Sequence, residues 1–237
     1  MRTCFSTPRF KSSALRLMQF RRAIMLLSGF LLCSAHAQES DVATNALSTP
    51  GLTLEPASQT MWEHGVGEGF RPDAQSFTVS AGANYGIALF GGHEQHHLAL
   101  IGLTYGHMLG HTRGEDHWYR GNFEFRLELF SGAQFSPTSE WLVGLTPHLR
   151  YDFATGTPWI PFFDLGAGVS ATSIGPPDLS GTFEFNLQAA IGIQWFLKKN
   201  MSLNVEAGYF HMSCASINHP NLGLNGVTGM LGVTFLF

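Results

Sequence analysis

Near its carboxyl end the chain reads Val205-Glu206-Ala207-Gly208-Tyr209-Phe210-His211-Met212-Ser213. A histidine and a serine two residues apart share a face if the segment is a strand, and their side chains then come within hydrogen-bond reach. An imidazole beside a hydroxyl can take its proton and make the oxygen a nucleophile for acyl transfer. The bland alternative is a pair of interfacial polar residues that end a strand. Glu206 belongs in a polar interior, so Val205, Ala207, Tyr209, His211 and Ser213 are expected to project the other way. Cys214 projects opposite to His211 and reads as a free structural thiol, not a nucleophile. A second cluster, His93-Glu94-Gln95-His96-His97, has zinc-ligand residue types. It falls on an expected external hairpin tip with no evident fourth ligand, and Ser/His hydrolysis needs no metal. No metal and no cofactor are expected. Trp62-Glu63-His64 and Asp116-His117-Trp118 read as interface aromatics with solvated charges.

The element that must position His211 and Ser213 is a strand in a larger sheet, and period-two alternation runs through the chain. In 122–130, Phe123, Phe125, Leu127 and Leu129 oppose Asn122, Glu124, Arg126 and Glu128. In 141–153, Trp141, Val143, Leu145, Leu149, Tyr151 and Phe153 oppose Thr146, His148, Arg150 and Asp152. In 183–197, Phe183, Phe185, Leu187, Ile191, Ile193, Trp195 and Leu197 oppose Glu184, Asn186, Gln188 and Gln194. Burying so many charges in a soluble core is costly. In a small membrane barrel the aliphatic face meets lipid and the charges pair in the lumen. Less polar versions cover 76–90, 97–109, 159–170, 202–213 and 226–237. Each segment is long enough for a tilted membrane strand of about 9–11 residues. The expected fold is all-β, an eight-stranded antiparallel transmembrane barrel. Glu124, Arg126, Glu128, Arg150, Asp152 and Glu184 are expected to form a lumen ion-pair network.

Composition agrees. Charged residues are 13% of the chain, where about a quarter is usual in soluble domains, and Gly and Phe number 27 and 20. A net charge of −4 gives no reason to expect nucleic-acid binding. Six Arg/Lys before Ala23, the apolar run 23–33 and Ala35-His36-Ala37 make 1–37 a signal peptide. Residues 38–75 read as an N-terminal leader in which Trp62–Phe70 is either a short extra strand or a periplasmic plug, and 76–237 as the barrel. With both barrel ends in the periplasm, 91–96, 131–140, 172–181 and 214–225 are expected to be external. His211 and Ser213 then sit level with the outer-leaflet head groups.

The stretch from His211 to Asn225, His-Met-Ser-Cys-Ala-Ser-Ile-Asn-His-Pro-Asn-Leu-Gly-Leu-Asn, resembles the His-x-Ser-Asn-Ala…Pro-Asn-x-Gly signature of the lipid A 3-O-deacylases, also called acyloxyacyl hydrolase-like. The resemblance extends more loosely to Gly121–Glu124 and Pro161–Gly168. It implies an eight-stranded barrel in the outer membrane of a Gram-negative bacterium. It implies an ester hydrolase, metal-free, that removes an acyl chain of lipid A or lipopolysaccharide from a site facing the outer leaflet. By resemblance Ser213 is the nucleophile and His211 the general base, while Asn221, Cys214 and Ser216 fall in the oxyanion- and substrate-binding stretch. The chain departs from the pattern at Cys214, where the family has Asn, and at Asn225, where it has the triad glutamate. An amide cannot ionise but can orient the imidazole by accepting from Nδ1. Asp178 and Glu184 are the other acids near this end. The alternative function is a catalytically weakened or inactive structural or surface-binding barrel. A small-solute pore is disfavoured, since an eight-stranded lumen filled with charges leaves no channel.

Overall fold

The computed structural model describes residues 71–89, 96–114 and 117–237. The expected signal peptide, the leader up to residue 70 (Trp62–Phe70 included), His93–Gln95 and Asp116 lie outside the described residues.

Eight strands follow in order: β1 Gln75–Gly86, β2 His97–Met108, β3 Gly121–Ser136, β4 Glu140–Phe153, β5 Trp159–Thr172, β6 Phe183–Lys198, β7 Met201–Ser213 and β8 Leu224–Leu236. Each pairs antiparallel with its sequence neighbours, and β1 pairs with β8, closing the barrel. Closure leaves no unpaired edge, which is what a sheet needs to lie in hydrocarbon. Side chains alternate as the sequence pattern requires. On β4, Trp141, Val143, Leu145 and Leu149 are exposed on the outer wall, whereas Thr146, His148, Arg150 and Asp152 are buried inside. The outer wall is thus a continuous apolar band, the surface that a lipid bilayer covers. At the narrow places glycine makes room: a Cβ on Gly144 would lie 2.3 Å from the Phe130 ring.

The lumen is layered. At the end holding the first residue of β1 and the last of β8, Ala74, Met108, Ile160, Phe196 and Leu236 form one apolar cluster. At the opposite, far end, Leu98, Leu100, Phe130, Leu142, Phe210, Met212 and Leu224 form another, into which Ile174 and Leu179 of the β5–β6 loop insert. Between them lies a charged layer centred on Asp164. Its carboxylate accepts from Arg126 Nη1 at 2.8 Å and Arg150 Nε at 2.9 Å, and lies 2.7 Å from His148 Nδ1. Arg150 Nη2 also reaches Glu206 at 3.2 Å, and its guanidinium lies 3.6 Å from the centre of the Phe162 ring. The membership differs from the expected network. Asp164 and His148 are its hub, while among the described residues Asp152 has no hydrogen-bond partner for either oxygen and Glu184 accepts instead from Gly181 N. Asp164 is the single charge in an otherwise glycine- and aromatic-rich strand, and opposing cations from β3 and β4 converge on it.

Several boundaries move. β1 runs from Gln75 to Gly86 rather than over 76–90, and β5 continues through Thr172. β3 continues through Ser136, because Gly132 and Gln134 keep the inward alternation and the Gln134 amide ties to Thr138. β8 begins at Leu224 rather than Gly226, because Asn225 pairs directly with His211 of β7.

Candidate active site

His211 and Ser213 lie at the last turn-ward residues of β7, at the far end of the barrel and on its outer wall. Strand pleating puts both side chains on one face, and His211 Nε2 lies 3.0 Å from Ser213 Oγ. The neighbouring strands bring the rest. In the β7–β8 register His211 stands opposite Asn225, and His211 Nδ1 is 2.8 Å from Asn225 Oδ1. Ser213, His211 and Asn225 therefore form one hydrogen-bonded chain.

Asn225 lies at an outward-facing position of β8 yet is 3% exposed. It is covered from two sides: Tyr209 Oη donates to its Oδ1 at 2.5 Å, and its Nδ2 donates to the Leu89 carbonyl at 3.1 Å. A carbonyl oxygen only accepts, so Nδ2 must face Leu89 and Oδ1 must face His211. His211 Nδ1 then carries the proton, and Nε2 presents its lone pair to the Ser213 hydroxyl. That is the tautomer a general base needs.

Gly223 sits at φ +79°, a left-handed conformation that β-carbon-bearing residues resist. A Cβ there would lie 3.1 Å from His211 Cε1, so the glycine also leaves room for the ring. Its N–H donates to the Asp178 carbonyl at 2.9 Å, which fastens the β7–β8 loop to the β5–β6 loop.

Among the remaining residues named from sequence, Asn221 and Cys214 join each other. The Cys214 N–H donates to Asn221 Oδ1 at 3.3 Å, which leaves Asn221 Nδ2 as the donor that the amide offers. The Cys214 thiol is buried, 3.4 Å from the Asn218 carbonyl, in agreement with a structural role. Ser216 is exposed at φ 63°, and its side chain makes no hydrogen bond among the described residues. The two acids considered for the third position are engaged elsewhere. Asp178 Oδ2 lies 3.2 Å from His96 Nε2, and Glu184 is fully buried in the lumen.

His96 itself departs from expectation. It is 4% exposed, not part of an external tip, and its Nδ1 lies 2.6 Å from Gln134 Oε1. His97, the next residue, points outward and stacks on Tyr85 with ring centres 4.5 Å apart. Adjacent strand residues face opposite ways, so these two histidines cannot share a ligand sphere. Among the described residues no cluster of metal-ligating side chains occurs. Tyr209 was not singled out from sequence, because an outward tyrosine reads as a girdle aromatic until the register of β8 is known.

Around Ser213 the outer wall is apolar. Phe185 and Leu187 of β6 stand opposite Ser213 and His211, and Val227 continues the face beyond Asn225. An ester whose chain lies along this wall would meet the hydroxyl from the lipid side.

The family model described as lipid A 3-O-deacylase (PagL) matches residues 99–234, more than half of the chain. No curated protein sequence matches. Among solved structures, the outer membrane enzyme PagL is 19% identical, with 65% of this chain and 97% of that chain covered, at a TM-score of 0.48. Neisserial surface protein A is 18% identical, with 69% and 97% covered and a TM-score of 0.47. The N-terminal β-barrel domain of OprF from Pseudomonas aeruginosa is 17% identical, with 68% and 97% covered and a TM-score of 0.40.

Proposed function

This chain belongs to the lipid A 3-O-deacylase (PagL) family of outer-membrane barrels, and from that premise we propose that it is an esterase that removes an ester-linked acyl chain from lipid A. The observation that carries the proposal is the unbroken relay Ser213–His211–Asn225, in the tautomer that base catalysis requires. Ser213 Oγ attacks the ester carbonyl as His211 Nε2 takes its proton. The tetrahedral oxyanion draws on donors of the 214–221 loop, with Asn221 Nδ2 the side-chain candidate. Collapse expels the sugar alkoxide, which takes the proton back from His211 and leaves the acyl chain on Ser213. Water, deprotonated by His211, then releases the fatty acid and restores the serine. Asn225 orients the imidazole and stabilises its proton on Nδ1 without adding a full charge. The active site faces the outer leaflet in this scheme, with residues 1–37 removed as a signal peptide and the barrel's first and last strand ends in the periplasm. Phe185, Leu187 and Val227 offer the acyl chain an apolar wall beside the hydroxyl.

Mass spectrometry of lipid A from Gram-negative cells expressing the protein is the direct test. Loss of one hydroxyacyl chain is expected with the wild type. With Ser213→Ala the loss should disappear while the barrel keeps its heat-modifiable gel shift. Unchanged lipid A with the folded wild type would reject the proposal. The amide at 225 favours a second reading, a barrel that kept the fold and is catalytically weakened or inactive. It predicts no difference between wild type and Ser213→Ala.

A further inference from the structure

A carboxylate beside a catalytic histidine accepts from Nδ1 in either orientation, but an amide does so in only one. If the Asn225 amide were flipped, Nδ2 would face His211 Nδ1 as a donor. Nδ1 would then have to accept, the ring proton would move to Nε2, and His211 could no longer take the Ser213 proton. The two orientations of a free amide differ little in energy, so something must choose. The Leu89 carbonyl, 3.1 Å from Nδ2, favours the observed orientation. The Tyr209 hydroxyl, 2.5 Å from Oδ1, could accept from a flipped amide, so it does not choose by itself; it holds the chosen orientation by donating to the second lone pair of the same oxygen. Both partners lie on segments adjacent to Asn225: Tyr209 is two residues before His211 on β7, and Leu89 follows β1.

We propose that Tyr209 is a positioning residue of the relay, which together with the Leu89 carbonyl locks the Asn225 amide with its oxygen towards His211, so that this site is matched to an amide and not to a carboxylate. The proposal rests on the esterase reading for its catalytic consequence. Its geometric content is independent of any substrate. A carboxylate at 225 would set an oxygen against the Leu89 carbonyl, two acceptors with no hydrogen between them. Adding the charge that other members of the family carry at this position therefore brings a repulsion that the present amide avoids.

Two readouts separate the possibilities. In the detergent-solubilised full barrel carrying 15N-histidine, with the His211 signal identified from a His211→Gln control, the wild type should hold its proton on Nδ1. Tyr209→Phe should shift a measurable fraction to Nε2. On a p-nitrophenyl acyl ester in micelles, Tyr209→Phe should lower kcat by about tenfold, the upper end of one hydrogen bond's worth, with KM unchanged. In an Asn225→Ala background the same change should have no further effect, because the group it positions is gone. Asn225→Asp should not exceed the wild-type kcat. The proposal is overturned if Tyr209→Phe leaves both tautomer and kcat as they were, or if Asn225→Asp is faster. A tautomer shift in a protein with no esterase activity would reject the esterase reading and leave the lock intact.

Discussion

If the chain is an esterase, Gly223 is where a single methyl group should act on catalysis without touching substrate. Its φ of +79° costs an L-residue roughly 1–2 kcal/mol, and the added Cβ would press on His211 Cε1 from 3.1 Å. Gly223→Ala is therefore expected to lower kcat about tenfold, equivalent to a displacement of the ring costing about 1.4 kcal/mol. The heat-modifiable shift should survive, since the loop lies beyond the strands. Full activity of the folded variant would show that the ring has room to spare. Much at this scale was legible in advance. The two-residue spacing of His211 and Ser213, with Glu206 to choose the face, predicted their contact from strand geometry alone. Asn225 entered through the resemblance, and its contact with His211 depended on a β7–β8 register that composition does not encode. Tyr209 was hidden for the same reason. The His93–His97 cluster was placed on an exposed external hairpin tip, whereas His96 turns inward to Gln134 and His97 stacks outward on Tyr85.

At the scale of elements, the strands hold the site still and the lumen holds the strands. Asp164 of β5 joins β3 through Arg126 and β4 through Arg150 and His148, and Arg150 carries the connection across to β7 through Glu206. Removing the shared anion would leave Arg126, His148 and Arg150 with only their longer contacts to Glu124, Glu128 and Glu206, at 3.7, 3.5 and 3.2 Å. Breaking a buried pair in this way costs about 3–5 kcal/mol. Asp164→Ala should lower the urea midpoint of the barrel in vesicles by that amount, and Asp164→Asn by less, because an amide still accepts hydrogen bonds. Equal midpoints for wild type and Asp164→Ala would mean that lumen water takes over the role of the carboxylate. All eight strands were readable from alternation, since burial in a barrel depends on residue parity. The β5–β6 loop was not. Ile174 and Leu179 carry no periodic signal, and only the closed barrel shows that they fill its far mouth. Asp164 was likewise missed as the hub, because pairing between strands that are not neighbours cannot be inferred from any one segment.

On the scale of the whole molecule, the distribution of cations constrains how a substrate is held. The chain has 13 Lys and Arg. Six precede Ala23; Arg71, Arg113, Arg120, Lys198 and Lys199 lie at the end of the barrel opposite Ser213; Arg126 and Arg150 are inside the lumen. The loops around the Ser213 end, 137–139, 173–182 and 214–223, contain neither residue, and the sequence between β1 and β2 contains neither. Among the described residues a phosphorylated head group presented to Ser213 thus meets no guanidinium or ammonium, and direct charge pairing with them does not supply its affinity. What the wall offers instead is apolar contact from Phe185, Leu187 and Val227, worth about 0.8 kcal/mol for each methylene buried. If the chain is an esterase, two consequences follow for kcat/KM in detergent micelles. Removing the phosphates of lipid A should change it by less than about threefold, since no ion pair is lost. Shortening the scissile acyl chain by two methylenes should lower it roughly tenfold, the effect of burying that much less hydrocarbon. The opposite ranking, strong dependence on phosphate and indifference to chain length, would mean that the head group is gripped through bridging cations and that the apolar wall serves the bilayer alone.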